Sequence, residues 1–256
     1  VKLFLIELRK LFRLSSLRFS LVVLCIFPIL WAYAPGIFNV YGFFLVSAYQ
    51  VPALSLLSSM EFLLPLLVAI ASAELLGAEM TYGTLPTVLL RPVTRSQWLL
   101  AKLIVAALFP FLLLLGFFVV SLIAGLPYGY GAFTGGTGLG AGGLVGQGVT
   151  TASAAFAELL RAYLIAAWSL VPISLLAVLL TVVFMNAAAG ALATLALLIT
   201  MQLLVVFPGL EPYLLTAQLS AYVTPLAPIG WVIALIAVYC AVFASLSVIL
   251  FERKDF

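Results

Sequence analysis

The charges that interrupt this chain gather in one internal stretch, Ala73 to Lys102, and what flanks it leaves few options for a fold. Glu74, Glu79, Arg91, Arg95 and Lys102 fall within thirty residues. On either side run apolar segments long enough to cross a bilayer, whose hydrocarbon core takes about 20 helical residues. The stretch therefore reads as an aqueous connection between two membrane spans. Within it, Gly83-Thr84-Leu85 opens a short helical pattern and Arg91-Pro92 closes it. Thr94 and Gln97 have capping-box spacing ahead of Trp98, Leu99 and Leu100. A span, a sharp turn, a short surface helix and a second span are predicted.

Composition closes off other classes. The 256 residues are 66% hydrophobic and 7% charged; a soluble domain carries roughly 25% charge, so an ordinary aqueous globule is excluded. With no His, the Ser-His and Cys-His nucleophile pairs cannot be built, nor, with two Cys, the usual zinc spacings. Cys25 and Cys240 lie in apolar runs and read as buried hydrophobes, although a disulfide is possible. The basic N-terminus is followed by a full-length span without a small-residue cleavage site, so the first span is expected to stay in the membrane.

At about 100° per residue, Phe4, Leu5, Leu8, Leu11 and Phe12 share one arc of a helix over Val1 to Leu14, with Lys2, Arg9, Lys10 and Arg13 opposite. Residues 1–18 thus read as an amphipathic helix in the membrane interface, cations toward anionic headgroups. The first span runs from Phe19 to about Ala34. Asn39 to Ser59 reads as an outer loop with some helix at or dipping into the outer leaflet. The second span is placed at about Leu57 to Leu76. At ~1.5 Å per residue Glu61 then stands about 27 Å from Glu79, near opposite faces of the bilayer.

The third span runs from Trp98 to Ala124 through Pro110. Gly125 to Thr151 follows, with eleven glycines and no charge. A phosphate loop would need a Lys after its last Gly, and no Lys in the chain follows a Gly, so a flexible outer loop is expected. The fourth span reaches Phe184, Met185-Asn186 makes a tight turn, and Ala187 to Phe207 is a fifth span rich in small residues. Glu158 and Arg161, three apart, are expected to pair. Pro208 to Pro228 is an outer segment apolar enough to re-enter as short broken helices. Ile229 to Phe251 is the sixth span. Placing the N-terminus inside leaves only Arg161 of the eleven cations outside, so both termini are expected in the cytoplasm.

The order E-M-T-Y-G-T-L, L-L-R-P-V-T-R, L-L-A-K, with A-E-L-L-R-A-Y-L and V-F-M-N-A-A-A-G-A-L later, resembles the permeases of the ABC type-2 (ABC-2) transporter family, membrane subunits of bacterial ATP-driven exporters. The resemblance implies an all-α integral membrane protein forming a single transmembrane permease domain, residues 1–256, with six transmembrane helices, an N-terminal amphipathic helix and a short cytoplasmic coupling helix between spans two and three. It assigns ATPase coupling to Glu79, Gly83, Thr84, Leu85, Arg91, Pro92, Arg95 and Lys102. Thr94, where Ser is common, and Pro86 within the short helix depart from the pattern. The implied complex pairs two permeases, identical or homologous, with separate ATPases in the cytoplasmic membrane. ATP and Mg would sit on those ATPases and no cofactor on this chain, which would not itself be an enzyme.

Carboxylates near a bilayer are expensive and therefore functional candidates. Glu61 reads as facing a substrate route or capping its helix, and Glu74 as lining that route or reaching interfacial water. A self-contained secondary transporter or channel, or a membrane scaffold without transport, are the alternatives. A secondary transporter predicts charges clustered at mid-membrane, which the sequence does not have.

Overall fold

The computed structural model describes residues 2–34, 45–81, 94–140, 143–144, 148–207, 209–223 and 228–254. Its helices are α1 (Lys2–Leu11), α2 (Ser15–Tyr33), α3 (Gln50–Met60), α4 (Leu63–Thr81), α5 (Arg95–Gly125), α6 (Ala152–Phe184), α7 (Ala187–Leu204) and α8 (Ile229–Glu252). One antiparallel ladder joins β1 (Phe133–Thr134) to β2 (Val149–Thr150). Six helices, α2 and α4 to α8, are long and apolar enough to cross a membrane.

Their outward faces support a lipid surround. On α2, Leu17, Ser20, Leu24, Pro28 and Ala32 point inward, while Phe19, Val22, Ile26, Ile29 and Tyr33 form an exposed stripe at three- and four-residue intervals. Water would penalise a helix as apolar outside as inside; hydrocarbon does not. α6 is the buried axis and packs against α4, α5, α7 and α8.

Polar groups inside this apolar body find partners close by. Pro110 runs within α5 and has no N–H, so the carbonyl four residues back, Ala106 O, loses its helical donor. The Ser174 hydroxyl of α6 donates to that oxygen at 2.5 Å and itself lies 3.0 Å from the Ser72 hydroxyl of α4. Three helices are joined at the position the proline vacates. At the end of α6, Met185 takes a left-handed φ of 55° and Asn186 caps α7 by accepting from Ala189 N. Small residues then let α7 approach both neighbours. A Cβ on Gly190 would meet the Thr181 hydroxyl at 2.3 Å, and one on Gly77 would meet Ala187 Cβ at 2.3 Å.

Three expectations change. In the segment expected as an outer loop with some helix, Gln50–Met60 is a regular helix, and what changes is that it is buried on nearly every side. Its serines raise no hydrogen-bonding debt because they donate to their own helix: Ser55 to Val51 O, Ser58 to Leu54 O and Ser59 to Ser55 O. The membrane-crossing helix starts only at Leu63, after a break at Glu61 and Phe62, so the helical ruler from Glu61 to Glu79 does not hold across its first residues.

The glycine-rich segment, second, is folded over the bundle end where described. Phe133 and Leu139 are buried, Tyr49 stacks on Phe133 at 6.4 Å, and Gln50 Nε2 donates to Gly136 O. Third, Glu158 accepts from the Thr137 hydroxyl of that segment at 2.5 Å, while Arg161 lies exposed. Gly140 approaches the same carboxylate so closely that a Cβ there would overlap Glu158 Oε1. Residues 211–223 form short 3-10 turns whose Leu215, Gln218 and Tyr222 are buried.

Gly77→Ala is expected to lower stability by about 1–3 kcal/mol, the range for overpacking a close contact. Ala187→Gly in the same chain should recover part of the loss in thermal denaturation of the detergent-solubilised protein. Full tolerance of Gly77→Ala alone would contradict this packing.

Candidate functional site

The helix α1 docks through Phe4, Glu7, Leu8 and Leu11, an i, i+3, i+4, i+7 stripe that places one carboxylate among apolar side chains. Leu5, Ile6 and Phe12 are exposed, so only part of the arc read from the sequence faces the bundle. Glu7 is the sole acid in a helix otherwise rich in cations, and it is 2% exposed.

The partner that makes this tolerable is Lys102, two turns into α5 and 1% exposed. Its ammonium has three N–H donors and three acceptors: Glu7 Oε2 at 2.9 Å, Leu75 O at 2.7 Å and Glu79 Oε1 at 3.1 Å. Lys10 Nζ, 44% exposed, bridges the same two carboxylates, 2.7 Å from Glu7 Oε1 and 2.7 Å from Glu79 Oε1. Among the described residues two cations meet two anions here. Removing one member of such a set leaves a buried charge uncompensated, which costs about 3–5 kcal/mol. Burial alone would push the Glu7 carboxyl up; the nearby charge of Lys102, with the hydrogen bonds from Lys10 and Lys102, overcomes it and holds the group below the usual carboxylate range. Burial opposes the charge on Lys10 as well, yet its bonds to Glu7 and Glu79 hold its pKa above the ordinary lysine value.

The node continues toward the C-terminus. The Lys102 ammonium lies 4.9 Å from the Trp98 ring centroid, and Trp98 stacks on Phe251 of α8 at 5.3 Å. Arg95 Nη1 donates to Lys254 O at 3.0 Å, and Lys254 Nζ donates to Val183 O at the end of α6. Thr94 caps α5 by accepting from Gln97 N, the backbone half of the capping box. Glu79 and Lys102, which stand on either side of residues 82–93, therefore meet directly. α1, α4 and α5 share one ionic centre, and α8 is stacked on it.

Gly83, Thr84, Leu85, Arg91 and Pro92 lie outside the described residues, as does the predicted short helix. Glu74 is half-buried on α4, five residues before Glu79, and has no ion pair or hydrogen bond among the described residues. Glu61 lies beyond the other end of α4, so these two carboxylates do not share a site. Glu7 and Lys10 were absent from the sequence-derived set. The available signal was Glu7 standing in register with Phe4, Leu8 and Leu11.

The two shifts set a pH window. The contribution of Glu7 is fully present above its ordinary pKa of about 4.3 and is lost as pH falls through its lowered folded value. That of Lys10 is present below about 10.4 and is lost as pH rises through its raised value. In detergent, Glu7→Gln is expected to lower the thermal midpoint at neutral pH, and its curve should converge with that of the unmodified chain as pH falls below about 4. Parallel curves down to the acid limit would contradict the role given to Glu7.

A comparison with curated proteins finds no match. Residues 21–256 match a family described as a protein of unknown function, DUF2705. With nearly the whole chain covered, from the first candidate span to the end, this protein is a member of the DUF2705 family.

Proposed function

We propose that this chain is the permease subunit of an ATP-driven exporter of the ABC-2 type, forming a cargo path with a second permease and coupled to separate ATPases that bind ATP and Mg. The observation that carries the reading is the Lys102 centre. It ties the two flanks of residues 82–93 to each other and to α1 within about 3 Å contacts. Residues 82–93 contain the G-T-L and R-P elements that resemble a coupling helix, and α1 is the other element such a motor would touch. A load applied at either would reach α4 and α5 through charge-assisted hydrogen bonds, which are stronger and more geometrically defined than neutral ones. The sequence has no nucleotide-binding loop of its own, so energy would come from a partner. Glu79 and Lys102 then serve as the rigid root of the cytoplasmic element, Arg95 fixes it to the end of α8, and both termini face the cytoplasm.

Affinity purification of the chain from its native membrane tests this. An ATP-binding-cassette ATPase should co-purify, and replacing residues 83–90 with a Gly/Ser linker should abolish its recovery while the permease remains folded. Robust cargo flux by the chain alone in liposomes would overturn the reading in favour of a secondary transporter or channel. An ATPase-free partner bound at the same residues, without ATP-dependent movement, would favour a scaffold.

A further inference from the structure

Phe4, Leu8 and Leu11 of α1 pack onto the bundle, so the membrane meets a different face of this helix. Leu5, Arg9 and Phe12, at i, i+4 and i+7, lie exposed in one row, with Ile6 and Arg13 exposed beside them. Bonds from Phe12 N to Leu8 O and from Arg13 N to Lys10 O carry the last turn on, and Leu14 then leads directly into α2. There Arg18 heads the exposed stripe of Val22, Ile26 and Ile29, with Phe19 exposed next to it. At ~1.5 Å per residue α2 is about as long as the hydrocarbon core is thick, which puts Arg18, in its first turn, at headgroup level. Ile29 lies about 16 Å further along, close to the depth of one leaflet.

The charge of this corner is one-sided. Residues 2–34 hold five cations and one acid, Glu7, which is buried and engaged by Lys10 and Lys102. Arg9, Arg13 and Arg18 are exposed and have no ion pair or side-chain hydrogen bond among the described residues. Like charges four residues apart repel, and an anion between them removes that cost. Guanidinium groups bind phosphate oxygens through paired N–H donors. An acidic protein face would match the charge, but to reach Arg18 it would have to lie against Phe19 and Val22 at the edge of the hydrocarbon. A phospholipid presents phosphate and then acyl chain, in the order in which the corner presents arginines and then an apolar stripe.

We propose that the corner between α1 and α2 binds an anionic phospholipid, with its phosphate on Arg9, Arg13 and Arg18 and an acyl chain along Val22, Ile26 and Ile29. A zwitterionic headgroup carries its own cation and leaves these charges uncompensated, so the corner selects for net negative lipid. The proposal does not rest on the exporter reading. The test uses the full chain with Cys25→Ser and Cys240→Ser and a bimane fluorophore on Ser15→Cys, an exposed position one turn before Arg18, in phosphatidylcholine nanodiscs. Phosphatidylglycerol and phosphatidylcholine, each with a nitroxide near the glycerol end of one acyl chain, serve as quenchers. Quenching by the labelled phosphatidylglycerol is expected to saturate and to be half-complete at a mole fraction at least about tenfold below that needed by labelled phosphatidylcholine, because each basic residue at an anionic lipid surface adds a several-fold preference. With Arg9→Gln, Arg13→Gln and Arg18→Gln together, the two lipids should quench alike. Equal quenching while the arginines are intact would overturn the proposal and leave them to an acidic protein partner. A preference that survives the triple replacement would overturn it too, since the selectivity would then lie elsewhere. The lipid comparison needs only the chain with its arginines in place, so it decides even if the triple variant fails to fold.

Discussion

An ammonium group buried in an apolar bundle is admissible only if every proton on it is met, and Lys102 satisfies that condition with no donor to spare. The condition reaches outward. Glu7 must stay deep in the face of α1, Glu79 must remain on the last turns of α4, and Lys10 must bridge the two carboxylates from the more exposed side. Each of those positions fixes a helix. A hydrophobic contact tolerates sliding, whereas a charge-assisted bond near 2.8 Å does not, so the ionic centre supplies register where the surrounding leucines supply only adhesion.

The same logic, in neutral form, recurs along the bundle. Ser174 meets the carbonyl that Pro110 leaves open, Tyr128 meets the end of α2 at Ala32 O, and Tyr163 meets Pro52 O. Hydrocarbon offers no hydrogen bonds, so each exposed backbone group must be served by a neighbouring helix. These contacts link α2, α3, α5 and α6 away from the ionic centre. The molecule thus has a charged junction at one end and, at the other, a cap of glycine-rich and 3-10 segments.

How much of this was legible in the chain follows from what each signal measures. Long apolar runs report span number directly, and six candidate helices stand near the predicted places because bilayer thickness dictates their length. The Met185–Asn186 turn was legible too, since Asn is a strong N-cap. Helix α3 was not. Ser and Gln on its sequence suggested water, but those hydroxyls are absorbed by i−4 carbonyls and Gln50 bonds to the glycine segment, which no local pattern reveals. The glycine segment misled for a related reason, because its order comes from Tyr49 and Glu158, distant in sequence. At the site, Glu79, Arg95 and Lys102 were singled out through the family resemblance, yet Glu7 and Lys10 were missed. Their importance depends on which face of α1 docks, a tertiary property.

The account stands or falls on whether Lys102 holds α1 to the bundle. Nitroxide labels at Arg9→Cys and Gln97→Cys, both exposed positions, in a chain carrying Cys25→Ser and Cys240→Ser, would report the α1 to α5 distance by pulsed electron resonance. One narrow distance distribution is predicted, and Lys102→Met should broaden it into several. A distribution left unchanged by Lys102→Met would show that α1 is held by its leucines alone, and the ionic centre would lose the role given to it.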